Sequence, residues 1–319
     1  MPSDYTPVSN VEPQAQLTLD LRDITAITLK SPIDWSKVQW LYEKGANSKK
    51  GDGNNRSFMG VATKKEVLAV FPQGDENMGT PDFLNAHAQA AIAGSGRAKG
   101  VGDAARRQLL DKSLLSILYG EILEELDAAR LKIVAGQLDV NRGAPHNVDE
   151  AWAYYVGAKD STGQHSIALA STAGKRERNF KLEGKLDAPL QQSLAAALKA
   201  SQSGDVKAFD IAAAEARGYL NSIFYLASLR YVSNLAADTE ESGRETHSGE
   251  AWGFFQTIKP AVASVAPLAA KAVEEVYSRP ANQGVTAADV KTVYAALNDA
   301  VVVRALGIPK GLVIAAPPA

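Results

Sequence analysis

The 319-residue chain has no cysteine and only four histidines and four tryptophans. Without cysteine there are no disulfides, thiolate metal sites, iron–sulfur clusters or cysteine nucleophiles. A metal site in this chain would have to use histidine, carboxylate or tyrosine ligands. These ligands suit iron, zinc or manganese better than they suit soft metals. The lack of cysteine is compatible with an oxidising compartment and with the cytosol, so it does not decide location.

The chain also lacks a strong charge of one sign and any long apolar run. Its net charge is −2, with lysine and arginine scattered, so we expect no nucleic-acid partner. The longest apolar runs are far shorter than the roughly 20 residues of a membrane span. The N-terminal MPSDYTPVSN has neither the charged region nor the apolar region of a secretory signal. We therefore expect a cytosolic protein, or one whose signal has been removed.

Motifs for nucleotide binding and hydrolysis are missing as well. There is no Walker sequence and no Gly-x-Ser-x-Gly elbow, and the glycines of AGSGRAKGVGD follow no strand. No nucleophile–base pair and no general acid–base dyad can be assigned. We therefore expect no enzymatic activity.

Apolar residues recur at helical spacing through most of the chain. Asp34 is the expected N-cap of a helix that ends at Gly45. Thr80 is the expected N-cap of another helix. One stretch, QLTLDLRD, alternates leucines as a strand does. We predict an all-α fold of helical bundles with little or no β structure. The other helices are expected at about 102–136, 148–157, 165–180, 188–202, 205–236, 248–258, 260–278 and 286–305.

A short phrase occurs twice, as HNVDEAWAYYVGA at 146–158 and HSGEAWGFFQTIKP at 247–260. Each copy follows a long helix and a polar loop, which indicates an internal duplication. We predict an N-terminal arm over residues 1–30, loose over residues 1–15. Two related helical halves, 31–160 and 161–319, are expected to pack as one globular unit.

The first long helix carries acidic residues where apolar ones are expected. In YGEILEELDAAR, Glu121 and Glu125 fall within the apolar arc one turn apart, and Glu124 lies at its edge. Inward-facing carboxylates at this spacing are how helical bundles build iron sites. The alternative is a partly buried arc with the glutamates at its rim, paired with Arg130 or a lysine.

The two histidine phrases are a second candidate. His146 precedes Glu150 by four residues and His247 precedes Glu250 by three, so each pair could share a metal if the helix covers it. The alternative is that Asn147 or Asp149 caps the first helix and Ser248 caps the second. The histidines would then lie outside, and the glutamates would complement the helix dipole. The tryptophans of both phrases are most simply core anchors.

Four segments resemble one family. They are LYEKGANSKKGDGNNRSFMGVAT (41–63), VDEAWAYYVGA (148–158), SIALASTAGKRERNF (166–180) and EAWGFFQTIKP (250–260). They are similar to motifs of the algal Fe-assimilating proteins, also described as high-CO2-inducible or low-iron-inducible periplasmic proteins. The resemblance covers about residues 30–305. It implies a secreted helical protein that assists iron uptake by binding iron and not by catalysis.

Carried onto this chain, the family's acidic positions are Glu43, Glu150 and Glu250, and Glu121 with Glu124 forms an iron-type Glu-x-x-Glu. A looser similarity is to imelysin-like iron-regulated proteins, through their His-x-x-Glu at His247 and Glu250. The first phrase departs from that spacing, which puts a symmetric pair of sites in doubt.

We therefore expect a periplasmic or extracellular iron-binding protein with a metal ion as ligand and a cell-surface uptake protein as possible partner. One alternative is a metal-free helical module that binds a protein or a cell surface. Another is a small-molecule carrier that uses the tryptophans as stacking surfaces. The candidate metal ligands are Glu121, Glu124, Glu125, His146, Glu150, His247 and Glu250.

Overall fold

The structure is a computed structural model that describes residues 5–165 and 167–317. Over those residues it contains α-helices, three short 3-10 turns and two isolated β-bridges, but no strand. The all-α prediction is therefore confirmed. The helices of the first part are α1 (Glu12–Ala15), α2 (Leu17–Thr28), α3 (Trp35–Lys44), α4 (Phe58–Ala62), α5 (Lys65–Ala69), α6 (Gly74–Met78), α7 (Phe83–Ala93), α8 (Asp103–Val134) and α9 (Ala144–Val156). Those that follow are α10 (Leu169–Phe180), α11 (Asp187–Ser203), α12 (Val206–Ala237), α13 (Glu241–Val265), α14 (Pro267–Tyr277), α15 (Ala287–Leu297) and α16 (Ala300–Leu306).

The two longest helices, α8 and α12, form the centre of the molecule. Helix α8 packs against α9 and α13, and α12 packs against α11 and α13. Residues 113–123 of α8 and 220–229 of α12 are buried without interruption. A helix that is enclosed on all sides must place its polar groups against partners. Tyr119 on α8 meets this need by donating to Asn221 Oδ1 on α12 at 2.6 Å.

Several predicted helix ends are confirmed by side-chain caps. The carboxylate of Asp34 accepts from Lys37 N at 2.9 Å, and α3 ends at Gly45. Thr286 and Asp289 form a reciprocal capping box at the start of α15. The prediction for Thr80 was wrong, because α7 begins only at Phe83.

Three element predictions need correction. The strand-like QLTLDLRD lies in α2, where Leu17, Leu21 and Ile24 are buried together at helical spacing. The segments predicted at 248–258 and 260–278 are instead one helix, which continues through Pro260 to Val265, and then α14. The helix predicted over 286–305 is divided at Asn298 and Asp299, and the second of these caps α16.

The N-terminal segment is packed onto the body of the protein. The loose-arm interpretation does not fit residues 5–15, because Tyr5, Val11 and Gln14 are buried; residues 1–4 lie outside the described part. Helix α2 adds Leu17 and Ile24 to the main core. Over the described residues, no helix combines the length and the apolarity needed to cross a membrane. The division into two related halves stays a prediction.

Candidate metal centre

Three glutamates on one face of α8 form an acidic cluster. Glu121, Glu124 and Glu125 follow one another at spacings of three and four, and each offers an oxygen within 4.8 Å of the others. Glu121 and Glu125 are buried, and Glu124 is half-buried. Three carboxylates this close repel one another, so the arrangement requires a cation, a proton or hydrogen-bond donors nearby.

A glycine allows one such cation to approach. A Cβ atom at Gly120 would lie 2.9 Å from Val67 Cγ1 and 3.0 Å from Phe71 Cε2, so only glycine lets the α5 segment pack this closely on α8. Lys64 immediately precedes α5 and its Nζ lies 2.5 Å from Glu121 Oε1. Burial opposes a charged Lys64, but Glu121, Glu125 and Glu124 outweigh it and raise the pKa of the lysine. A lysine therefore does pair with one oxygen of Glu121, but the rim placement of that alternative was wrong, because Glu121 is fully buried. Arg130 instead pairs with Asp210.

Helix α9 contributes a fourth carboxylate, a histidine and an amide. It begins after Gly143 with Pro145 in its first turn, so His146 lies inside the helix. Asn147 Nδ2 donates to Glu125 Oε2 at 2.6 Å. Glu150 lies near enough to Glu125 for its charge to raise the pKa of Glu125. His146 Nε2 lies 3.5 Å from Glu150 Oε1, so the expected pair on one helical face is present.

The N-terminal segment orients His146. Asp149 is fully buried, and its Oδ2 accepts from Val8 N, Ser9 N and Ser9 Oγ at 2.7–2.9 Å. Because Ser9 donates its one hydroxyl hydrogen to Asp149, His146 Nδ1, 2.8 Å from Ser9 Oγ, must be the donor in that contact. In neutral imidazole the lone pair is then on Nε2, which faces Glu150. A histidine that binds a metal usually donates its other ring N–H to a neighbouring group in this way, here to Ser9, which is itself held by Asp149.

Three buried oxygen atoms at this cluster lack a hydrogen-bond donor among the described residues. They are Glu121 Oε2, Asn147 Oδ1 and Gln14 Oε1. Gln14 belongs to the cluster because its amide nitrogen donates to Glu150. Buried acceptors are normally satisfied, and leaving one unpaired costs about 1–3 kcal/mol. A bound cation would satisfy such oxygens, whereas a structural ion pair with Lys64 alone leaves them unpaired.

Burial and mutual repulsion raise the pKa of two carboxyl groups of the cluster. Burial, together with the charges of Glu150, Glu121 and Glu124, raises the pKa of Glu125 well above its ordinary value. Burial and Glu121 also raise the pKa of Glu124. A metal ion that binds these carboxylates must therefore displace protons.

The sequence was compared with known families, curated proteins and solved structures. The model of the low iron-inducible periplasmic protein family (Fea1) matches residues 1–258. The chain belongs to this family. The match includes every residue of the acidic cluster, as well as α8, α9 and most of α13. Neither the curated proteins nor the solved structures give a significant match.

The family assignment agrees with the resemblance found in the sequence, and with the expected periplasmic or extracellular location. The match ends within α13, so α14 to α16 lie beyond it. It covers both histidine phrases up to Ile258. Its description speaks of induction at low iron and names no ligands, so the ligand set depends on the geometry.

The second histidine phrase forms a separate polar group. His247 also lies inside its helix, α13, so the capping interpretation was wrong for both histidines. Its Nδ1 lies 2.7 Å from Asp238 Oδ2, and its Nε2 is 4.0 Å from Glu250 Oε2. Glu250 accepts from the Tyr231 hydroxyl at 2.8 Å and lies 3.5 Å from Lys112 Nζ. These partners differ from those of the α8 cluster.

The other sequence candidates have structural partners. Trp152 stacks on Tyr5 with ring centroids 4.9 Å apart, and Trp252 meets His87 at 4.9 Å. Burial and Lys259 lower the pKa of His87 to about 4. Glu43 accepts from Gln39 one turn away.

The sequence interpretation missed several residues that complete the α8 cluster, namely Ser9, Gln14 and Lys64; Asn147 was assigned only as a cap. Each of these residues reaches the cluster from a segment distant in sequence, or is of a residue type that does not by itself indicate a metal ligand. Glycine at position 120, within a helix, was the one local sign of close packing.

The raised pKa of Glu125 predicts how stability changes with pH in the metal-free protein. The folded state holds a proton that the unfolded chain releases above about pH 4.3, so this group stabilises most at low pH, and less as pH rises through its folded pKa. Glu125→Gln keeps an acceptor for Asn147 and removes the charge. At pH 8 we expect the variant to be more stable than wild type by about 1–3 kcal/mol, and near pH 4 to be equal to it.

Urea unfolding of chelator-treated protein across pH 4–8 measures this difference. Glu215→Gln, an exposed glutamate on α12, is the matched control and should follow wild type. A constant difference between Glu125→Gln and wild type at all pH values would contradict the assignment.

Proposed function

We propose that this protein binds iron at the α8–α9 cluster and assists iron assimilation outside the cytoplasm without catalysing a reaction. Glu121, Glu124, Glu125 and Glu150 would supply oxygen ligands, and His146 would supply Nε2. The observation that carries the proposal is the set of buried oxygens without donors around these carboxylates. Membership of a low iron-inducible family supports iron as the ion.

The donor set fits iron by its chemistry. Carboxylates and imidazole projecting inward from two neighbouring helices are the ligands from which helical proteins build iron sites. The tautomer fixed by Ser9 and Asp149 leaves the histidine ready to bind a metal. Protons held by Glu125 and Glu124 would leave on binding, so affinity should fall with acidity. Such a site would hold iron for transfer to an uptake protein at the cell surface.

The metal-free alternative treats every carboxylate as a cap or part of a solvated surface. Glu121 and Glu125 fit neither description, because both are buried within α8 and more than two turns from either end. This placement favours the iron proposal over a simple helical binding module.

Titration of the metal-free protein tests the proposal. Anaerobic Fe(II) and aerobic buffered Fe(III) should each be tried, with elemental analysis after gel filtration. We expect about one iron per chain, with proton release in weakly buffered solution. At a free iron concentration 100 times Kd, binding adds about 2.7 kcal/mol, which raises Tm by about 4 °C for a chain of this size. No stoichiometric retention of either ion would overturn the proposal.

A further inference from the structure

A cavity lies at the junction of α2, α8, α10, α12 and α13, and has a volume of about 440 Å³. It is lined by polar groups of both signs and by the apolar side chains of Leu21, Leu115 and Phe254. Its volume is within the usual range of small-molecule sites. Glu250 of the second histidine phrase lies on its wall, whereas Glu121, Glu124 and Glu125 do not line it.

The decisive residue in this cavity is Arg176 on α10. It is only 5% exposed, and its Nε and Nη1 have no hydrogen-bond acceptor among the described residues. Its guanidinium carbon lies 5.4 Å from the ring centroid of Tyr231 and 5.7 Å from that of Phe254. These two rings hold the guanidinium in place by cation–π contact. A buried guanidinium with unused donors is costly unless an anion pairs with it.

The two carboxylates that line the cavity, Asp111 and Glu250, already have other partners. Glu250 accepts from Tyr231 and lies beside Lys112 and His247. Asp111 lies 3.4 Å from Thr25 Oγ1, which donates to it. Lys175 also lines the cavity, so its wall carries Arg22, Lys112, Lys175 and Arg176 against Asp111 and Glu250. Arg22 is paired with Asp23 outside the cavity, and the remaining excess of positive charge favours an anionic ligand.

We propose that this cavity binds the carboxylate group of a small organic acid, with Arg176 as its main anchor. Arginine pairs with carboxylates through charge-assisted hydrogen bonds. An inorganic oxyanion would occupy a small part of the volume, whereas a carbon skeleton would contact Leu21, Leu115 and the ring of Phe254. The assignment does not depend on iron binding, because the residues and the cavity are different.

The test uses metal-free full-length protein and three probes: benzoate, the uncharged isostere benzamide, and sulfate. We expect benzoate to bind in calorimetry at least tenfold more tightly than benzamide and more tightly than sulfate. In a ¹H–¹⁵N spectrum it should shift the Nε–H resonance that Arg176→Lys removes. Arg176→Met should weaken benzoate at least tenfold, and the exposed Arg178→Gln on the same helix should leave it unchanged.

Arg176→Lys keeps the positive charge and is the control for misfolding of Arg176→Met. It should bind benzoate with an affinity between those of wild type and Arg176→Met while retaining the wild-type Tm. Any one of three results would overturn the proposal: benzoate that binds no more tightly than benzamide, an unchanged benzoate affinity in Arg176→Met, or sulfate that binds more tightly than benzoate.

Discussion

Glu121→Gln and Glu125→Gln are each expected to lower iron affinity by more than about 100-fold, since the loss of outer-shell partners alone costs about 10–100-fold at metal sites. Both substitutions keep the size of the side chain and remove one anionic ligand. Glu121 has an oxygen with no donor, and Glu125 lies between Asn147 and Glu150. His146→Gln should also weaken binding, because it removes the only imidazole at this cluster among the described residues.

The second histidine phrase provides matched controls within the same chain. His247→Gln and Glu250→Gln remove the same residue types, but their partners are Asp238, Tyr231 and Lys112. Both variants should bind iron as wild type does in a competition assay with a chelator of known affinity. If Glu250→Gln lost iron while Glu125→Gln kept it, the site would have been assigned to the wrong helices.

Asp149→Ala is expected to destabilise the protein by about 3–5 kcal/mol, which lowers Tm by about 4–8 °C. The carboxylate accepts from the Tyr5 hydroxyl at 2.8 Å as well as from Val8 and Ser9. Its removal leaves the Tyr5 hydroxyl buried without an acceptor and removes the acceptor of Val8 and the half-buried Ser9. The N-terminal segment should then detach, so amide exchange over residues 5–15 should become fast.

Two further measurements separate this effect from general loss of stability. Tyr5 stacks on Trp152 at an interplanar angle of 6°, so detachment should change tryptophan fluorescence below the unfolding transition. Asp34→Ala removes an exposed N-cap and should cost about 1 kcal/mol with no change in that signal. Iron affinity should fall in Asp149→Ala, because Ser9 would no longer fix the tautomer of His146. Exchange over residues 5–15 that stays slow would show that Asp149 does not hold the segment.

The loss of iron affinity in Glu125→Gln and the loss of stability in Asp149→Ala have different causes, and separate measurements distinguish them. Glu125→Gln should lose iron while gaining stability at neutral pH. Asp149→Ala should lose stability in the metal-free protein as well. A buried metal-binding site is expected to destabilise the folded protein when no metal is bound. A bound cation removes this destabilisation, because cation binding and folding stabilise each other.

The sequence by itself determined the fold class, the long helices and the acidic face of α8. Helical periodicity is a local property, so α8, predicted at 102–136, is found at Asp103–Val134. Spacing alone also placed Glu121 and Glu125 in the apolar arc. Local pattern failed where tertiary burial decided the conformation, as in α2, whose alternating leucines lie on a helix that packs into the core.

Only the tertiary structure decided which polar groups meet. Asp149 looked like a helix cap, but α9 begins at Ala144, and this places Asp149 under Tyr5 and Ser9 and puts His146 beside Glu150. Gln14, Lys64 and Asn147 join the α8–α9 cluster from three separate segments, and no spacing rule relates contacts across such separations. The similar phrases at 146 and 247 likewise lie in different surroundings, because a side chain's partners depend on the packing of distant helices and not on its sequence neighbours.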